Sequence, residues 1–112
     1  MNKYRDKSDF EINLRVAQII FTDSEYDVIK QSMEVVKFQN GNGKGTCHAF
    51  DPCNKPADAM PIVLENKIDL THLVGDMVCA KHKEYWCIRK NPYRAGCEVY
   101  LMMKDAENET NT

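Results

Sequence analysis

The strongest constraint on this fold is a sharply defined helix start near the amino terminus. Ser8 and Glu11 form a capping box, in which each side chain accepts a hydrogen bond from a backbone N–H group that the first turn leaves unpaired. The residues that follow divide into an apolar and a polar stripe at helical spacing. The apolar stripe contains Phe10, Leu14, Ala17 and Phe21. This pattern predicts an amphipathic helix over residues 9–21 that packs on a core through one face.

Several later segments favour strands. The β-branched residues between positions 27 and 39 predict one or two strands, and residues 68–74 predict an extended segment. Residues 77–89 predict a hairpin whose tip lies at residues 81–84. Residues 40–45 are rich in glycine and asparagine, which tolerate positive φ, and they predict a turn or a flexible loop.

Two further helices are predicted from their start signals. Asp58 is expected to cap a short helix that ends near Asn66. Asn91 and Pro92 predict the start of a last helix, because a capping residue is followed by proline at the first helical position. Residues 99–103 are apolar on every side, which favours a buried helix but also fits a core strand.

The length of 112 residues fits one domain, and an apolar fraction of 43% is enough for one core. The expected class is α+β: a small single domain in which an antiparallel sheet of about four strands packs with two or three helices. Residues 1–104 are assigned to this domain, and residues 105–112 to a flexible acidic tail. Residues 46–56 are expected to be irregular.

Charge and leader sequence exclude several classes of function. A net charge of −2 argues against a general nucleic-acid binder, which needs clustered lysine and arginine. The first seven residues are charged and no apolar run follows, so we expect a protein of the cytoplasm without membrane association. Five cysteines, an odd number, are then expected to be thiols.

The cysteines and histidines suggest one metal hypothesis. Zinc prefers four soft ligands delivered as closely spaced pairs. The residues available for such a site are Cys47, Cys53, Cys79, His82 and Cys87. Only Cys79 and His82 have the spacing of a ligand pair, so buried cysteines that act as small apolar residues are the competing interpretation. A cysteine nucleophile lacks any local signature of its class.

A second polar set surrounds the two predicted helix starts. Asn54, Asp58, Asn91 and Arg94 lie there, and helix starts present unpaired N–H groups that suit an anion. The competing interpretation is that Asn91 and Asp58 only cap helices and that Arg94 forms an ion pair. Trp86 is expected either to wall a ligand pocket or to lie in the core.

Three segments carry a more specific pattern. They are SDFEIN at residues 8–13 with Val16 and Ala17, CNKPADAMPI at residues 53–62 with ENKI at 65–68, and NPYRA at residues 91–95 with LMM at 101–103. In this order they resemble the NinX family of lambdoid phages and prophages. The resemblance spans most of the chain. It departs from the family at Met60, where the family carries tryptophan, and at Gly96, where a better helix former is expected.

The resemblance implies a phage or prophage origin and an early accessory gene, with no established reaction. It also bears on the metal hypothesis. Of the five cysteines only Cys53 lies within a family-like segment, which weakens a shared zinc site.

Two functional hypotheses follow. The first is a non-enzymatic phage accessory protein that acts on a host factor or sequesters a small anionic ligand, such as a nucleotide signal, as a counter-defence device. No cofactor is expected for it. Its predicted ligand-binding residues are Cys53, Asn54, Asp58, Trp86, Asn91 and Arg94. The alternative is a small zinc- or thiol-dependent enzyme that uses the Cys/His cluster. A homodimer through an exposed strand edge is left open.

Overall fold

The computed structural model describes residues 2–38 and 46–110 and has the predicted α+β architecture. The helices are α1 (Asp9–Ile20), α2 (Pro56–Glu65) and α3 (Pro92–Thr110). The strands are β1 (Tyr26–Ile29), β2 (Glu34–Phe38), β3 (Cys47–Ala49), β4 (Asp69–Leu73), β5 (Met77–His82) and β6 (Tyr85–Arg89). Within the described residues the fold therefore contains two three-stranded sheets, where one sheet of about four strands was expected. The predicted loop at residues 40–45 lies outside the described residues.

Both sheets are antiparallel meanders. Sheet 1 has the order β1-β2-β3 and sheet 2 the order β4-β5-β6. In sheet 2, Leu70 lies opposite Ala80, and Ala80 lies opposite Cys87. Ala80 and Cys87 are buried in the core on the side that packs against α3. Since side chains alternate between the faces of a sheet, Trp86 and Ile88 lie on the opposite, outer face of sheet 2.

Helix α1 starts as predicted. The Ser8 Oγ accepts a hydrogen bond from the Glu11 N–H at 3.1 Å, and the Glu11 carboxylate accepts one from the Ser8 N–H at 3.3 Å. The helix buries Ile12, Val16 and Ala17 completely. The buried face is therefore rotated from the predicted apolar stripe. Of that stripe only Ala17 is fully buried, and the others are partly buried beside the core: Phe10, Leu14 and Phe21.

Helix α2 starts earlier than predicted, because Pro56 occupies its first turn and Lys55 is the N-cap. Proline fits the first helical position since its fixed φ suits the helix and its missing N–H is not needed there. The prediction that Asp58 caps this helix is wrong. The Asp58 carboxylate instead accepts a hydrogen bond from the Asp51 N–H at 3.0 Å and pairs with Lys37 at 3.6 Å.

Helix α3 is the central element of the fold. The Asn91 Oδ1 caps it by accepting hydrogen bonds from the N–H groups of Tyr93, at 3.0 Å, and Arg94, at 3.3 Å. Val99 and Leu101 are fully buried, so the apolar run at residues 99–103 is a buried helix. No helix of the described residues is long and apolar enough to cross a lipid bilayer.

The segment that was predicted as a tail continues α3 as far as Thr110. Its first residue, Asp105, is held by the amino-terminal segment: it accepts a hydrogen bond from the Tyr4 hydroxyl and pairs with Lys3 at 3.4 Å. Residues 111–112 lie outside the described residues. The expected irregular segment at 46–56 contains the short strand β3, whose Ala49 lies opposite Val36. Three residues are too few to show an alternating pattern in the sequence.

Gly96 lies where α3 packs tightly against α2. A Cβ atom at this position would lie 2.9 Å from the Val63 Cγ2, and Val63 is itself buried. Replacing Gly96 by alanine removes a helix penalty of about 1 kcal/mol but overpacks this contact at a cost of about 1–3 kcal/mol. We expect Gly96→Ala to lower the free energy of unfolding by roughly 1 kcal/mol in urea titrations. In a Val63→Ala background the same change should be neutral or stabilising; stabilisation in the wild-type background would contradict the packing account.

Candidate functional site

A polar network joins the three family-like segments at the start of α3. Its centre is Arg94, whose Nε donates to the Glu98 Oε2 at 2.8 Å and whose Nη1 donates to the Asp9 Oδ1 at 2.6 Å. Its Nη2 donates to the carbonyl oxygens of Tyr4, at 2.9 Å, and Lys7, at 2.6 Å. Four of the five N–H donors of a guanidinium are thus used within the protein.

Glu98 is the buried anion of this network and is 0% exposed. Its carboxylate accepts hydrogen bonds from Arg89 at 2.8 and 2.9 Å, from Arg94 at 2.8 Å and from the Asn2 side chain at 2.7 Å. Burial by itself would raise the pKa of Glu98, but the hydrogen bonds from Arg89, Arg94 and Asn2 outweigh it and hold the pKa below its usual value. Glu98 is therefore ionised at neutral pH.

The loop between β3 and α2 is held by two asparagines. Asn13 on α1 accepts a hydrogen bond from the Cys53 N–H at 3.1 Å and donates to the Asp51 Oδ1 at 2.8 Å. Asn91 donates to the Cys53 carbonyl at 2.7 Å and to the Asn54 Oδ1 at 3.0 Å. Each asparagine accepts a hydrogen bond through its side-chain oxygen and donates one through its amide nitrogen. These bonds fix the loop relative to α1 and α3.

The structure brings together four of the six predicted ligand-binding residues, namely Cys53, Asn54, Asn91 and Arg94. Asp58 is attached to the other side of the loop through Asp51 and has no hydrogen bond to Arg94. Trp86 lies on the outer face of sheet 2, outside the network. Sequence reasoning missed Asn13 and Glu98; the available signal was a polar residue inside an otherwise apolar stretch of each helix.

A cleft of about 330 Å³ lies beside this network, between α1, the loop and sheet 1. Its polar wall contains Asp9, Asn13, Asp51 and Asn54, and Glu34 faces them from β2. Burial would raise the pKa of Asp9, but hydrogen bonds from Asn54 and Arg94 outweigh it and lower the pKa. The cleft is thus lined by more carboxylates than cations. The resulting negative charge disfavours the binding of an anionic ligand.

The cysteines do not assemble into a centre. Cys47 is exposed on sheet 1 and Cys53 is buried below the loop, while Cys79 and Cys87 belong to sheet 2. His82 contacts the Lys67 carbonyl at 3.1 Å. No group of three or more His, Cys, Asp or Glu side chains in residues 2–38 and 46–110 is placed to hold a metal ion.

The two most buried thiols of the predicted cluster are poor nucleophiles. A hydrogen bond with Cys97 and burial raise the pKa of Cys53 above its ordinary value. Burial, followed by the charge of Glu98, raises the pKa of Cys87 to about 12. Since the thiolate is the reactive form, these side chains stay protonated and unreactive near neutral pH.

A groove on a different surface of the protein is open to solvent, and we call it the β6 groove. It is a groove of about 610 Å³ that follows the free edge of β6. It is lined by residues 84–89, Asn2, Arg5 and Met102. Trp86, the one tryptophan of the chain, is 55% exposed at this groove. Large exposed aromatic side chains are typical of protein-binding surfaces.

A family model described as Bacteriophage P22, NinX matches residues 3–104. The chain belongs to the NinX family. The match covers nearly all of the structure and contains the residues of the Arg94 network except Asn2. Searches of curated proteins and of solved structures found no significant match. The NinX assignment therefore establishes a phage protein family, while the residues themselves must supply the argument about function.

Proposed function

We propose that this NinX-family protein is a non-enzymatic phage accessory protein that binds a host protein, in the cytoplasm of the host, by strand addition along β6. The observation that carries the proposal is the exposed Trp86 beside an unpaired strand edge. In strand addition an extended segment pairs with the free edge through main-chain hydrogen bonds, and side-chain pockets supply specificity.

The edge of β6 is open for such pairing. Within the described residues β6 pairs only with β5, from His82↔Tyr85 to Val78↔Arg89. Alternate residues of an edge strand direct their N–H and C=O groups away from the neighbouring strand. One acceptor is already used, because the Ile88 carbonyl accepts a hydrogen bond from the Arg89 side chain at 2.6 Å; an added strand would displace this bond.

The groove also indicates the chemistry of the partner. Trp86 and Ile88 project on the outer face, so an apolar residue of the added strand would pack beside them. Arg5 and Arg89 line the groove, and Glu84 lies at the tip of the hairpin. We therefore expect an extended host segment with an aliphatic or aromatic residue next to Trp86 and an acidic residue near Arg5.

This version of the hypothesis is better supported than sequestration of a small anion. The Arg94 donors are directed to internal acceptors, and Asn91 caps the start of α3. The neighbouring cleft carries an excess of carboxylates. A counter-defence role would then arise because the bound host protein is no longer available for defence. The Arg94 network would position the amino-terminal segment, which forms one wall of the β6 groove.

A pair of matched variants tests the proposal. Trp86→Thr removes the anchor but keeps a residue that favours strands, whereas Val74→Thr makes the same type of change at a side chain 98% exposed in the β4–β5 turn. We expect a host protein to be retained from lysate by wild-type and Val74→Thr protein and lost with Trp86→Thr. Binding of the purified partner should shift the Trp86 fluorescence to shorter wavelength and slow hydrogen exchange within residues 85–89.

Two results would overturn the proposal. One is equal retention of the partner by wild-type and Trp86→Thr protein, with no protection of β6. The other is self-association, detected by sedimentation at rising concentration and abolished by Trp86→Thr, because the edge would then be occupied by a second copy.

A further inference from the structure

A second cavity lies on another side of the molecule, where α1, α2, α3 and sheet 1 meet. Its volume is about 230 Å³. Three aromatic side chains, Phe21, Phe50 and Tyr100, contribute to its lining. Phe21 and Phe50 stack edge to face with ring centroids 5.0 Å apart. The apolar part of the cavity wall is therefore formed largely by flat aromatic side chains.

A tyrosine hydroxyl in this lining is accessible to solvent. Tyr100 as a whole is 4% exposed, and its hydroxyl forms no hydrogen bond to the residues that the structure describes. Because no buried side-chain N or O atom of these residues lacks a partner, the hydroxyl is an accessible part of the side chain. Burial, followed by the charges of Glu107 and Glu65, raises the pKa of Tyr100, so the hydroxyl stays protonated. An accessible hydroxyl can donate one hydrogen bond to a ligand and accept others.

The other polar groups of the cavity are mostly acceptors. The Asp58 side chain, 8% exposed, lines it together with Glu65 and Asn66. The Asn66 amide nitrogen donates to the Ile62 carbonyl at 2.7 Å, which leaves its oxygen for another donor. Lys37 is the cation of the lining, and it is paired with Asp58 and lies over the Phe50 ring.

We propose that this cavity binds a small planar aromatic ring that carries amino groups, of the class to which amino-bearing nucleobases belong. The flat walls suit a ring, and Asp58, Glu65 and the Asn66 oxygen suit its N–H donors. Tyr100 donates to a ring nitrogen or accepts from an amino group. An apolar cavity of about 150 Å³ holds benzene and drug-sized ligands need about 300–1,000 Å³, so the observed volume suits one or two fused rings.

The same lining disfavours phosphate groups. Two carboxylates face the ligand and the single cation is already paired, so a free base or nucleoside should bind more tightly than its nucleotide. The site shares no residue with the β6 groove and does not depend on the function proposed for it.

The experiment is a titration of the full chain with adenine and with cytosine, followed by nuclear magnetic resonance and calorimetry. Purine, which lacks the amino group, and benzoate, an anionic ring, serve as ligand controls. We expect saturable binding of adenine or cytosine, with amide shifts at Phe50, Asp58 and Tyr100. Tyr100→Phe and Asp58→Asn should each weaken it roughly tenfold, since each removes one hydrogen-bonding function and keeps the shape. Leu64→Ala, on the exposed side of α2, should bind as the wild type does.

The proposal is overturned if neither base gives saturable shifts at millimolar concentration, or if purine and benzoate bind as well as adenine. It is also overturned if folded Tyr100→Phe and Asp58→Asn proteins both keep wild-type affinity. Two variants are used so that the test still works if one of them does not fold. A variant with a native spectrum is folded, so a loss of affinity in that variant reports on binding.

Discussion

Replacing Glu98 by glutamine is expected to lower the free energy of unfolding by about 3–5 kcal/mol at neutral pH. The neutral amide leaves the guanidinium groups of Arg89 and Arg94 without their buried counter-ion, and its NH2 group faces donors instead of acceptors. Removing one partner of a buried ion pair is costly because the remaining charge is not solvated. Urea unfolding of wild-type and Glu98→Gln protein measures the difference.

The same variant should change the pH dependence of stability. Because the pKa of Glu98 is lower in the folded than in the unfolded protein, its contribution is fully present above the unfolded value of about 4.3 and is lost as pH falls through the lower folded value. The gap between wild-type and Glu98→Gln protein should therefore narrow in acid. Glu107→Gln, at an exposed pair with Lys104, is the control and should cost less than about 0.5 kcal/mol. A Glu98→Gln protein as stable as this control at neutral pH would refute the account.

Replacing Arg94 by methionine is expected to release the amino-terminal segment. Arg94 holds that segment through the carbonyl groups of Tyr4 and Lys7 and through Asp9. Methionine keeps most of the apolar stem and removes these bonds, so we expect a loss of about 3 kcal/mol and much faster hydrogen exchange at residues 4–8. Arg94→Lys should be intermediate, since an ammonium group cannot reproduce the planar fork of donors.

A matched change at an exposed arginine distinguishes this role from loss of charge alone. Arg5→Met removes the same charge from an exposed side chain at the β6 groove and should leave the exchange of residues 4–8 near the wild-type rate. If Arg94→Met protein keeps slow exchange in that segment, the anchoring role is wrong. If both variants exchange equally fast, the segment is held by its overall charge and not by the Arg94 bonds.

The elements that sequence analysis predicted well are those with local signals. The Ser8–Glu11 capping box, the Asn91–Pro92 helix start and the hairpin at residues 77–89 each depend on neighbouring residues, and all three are present. The start of α2 was predicted too late in the chain, because Pro56 and Asp58 both favour a helix start. Only the packing of the preceding loop decides between them.

The polar network could not be predicted in the same way. Asn2 and Glu98 are 96 positions apart, and Arg94 and Asp9 are 85 apart. Nothing in the local pattern of either segment specifies its partner. Asn54, Asn91 and Arg94 were grouped because two helix starts were expected to lie together, whereas the burial of Glu98 and the placement of Trp86 on the outer face depend on how α3 packs against sheet 2.

The contacts between the first residues and α3 also set the order in which the molecule can form during synthesis. A nascent chain carries Tyr4 and Asp9 long before Arg94 and Glu98 leave the ribosome, so the amino-terminal segment has no anchor until translation is almost finished. Pairings between such distant positions slow folding. A messenger truncated before Pro92 would therefore yield a chain that lacks both its central helix and its amino-terminal anchor, which makes it a substrate for host proteases and not a partly active protein.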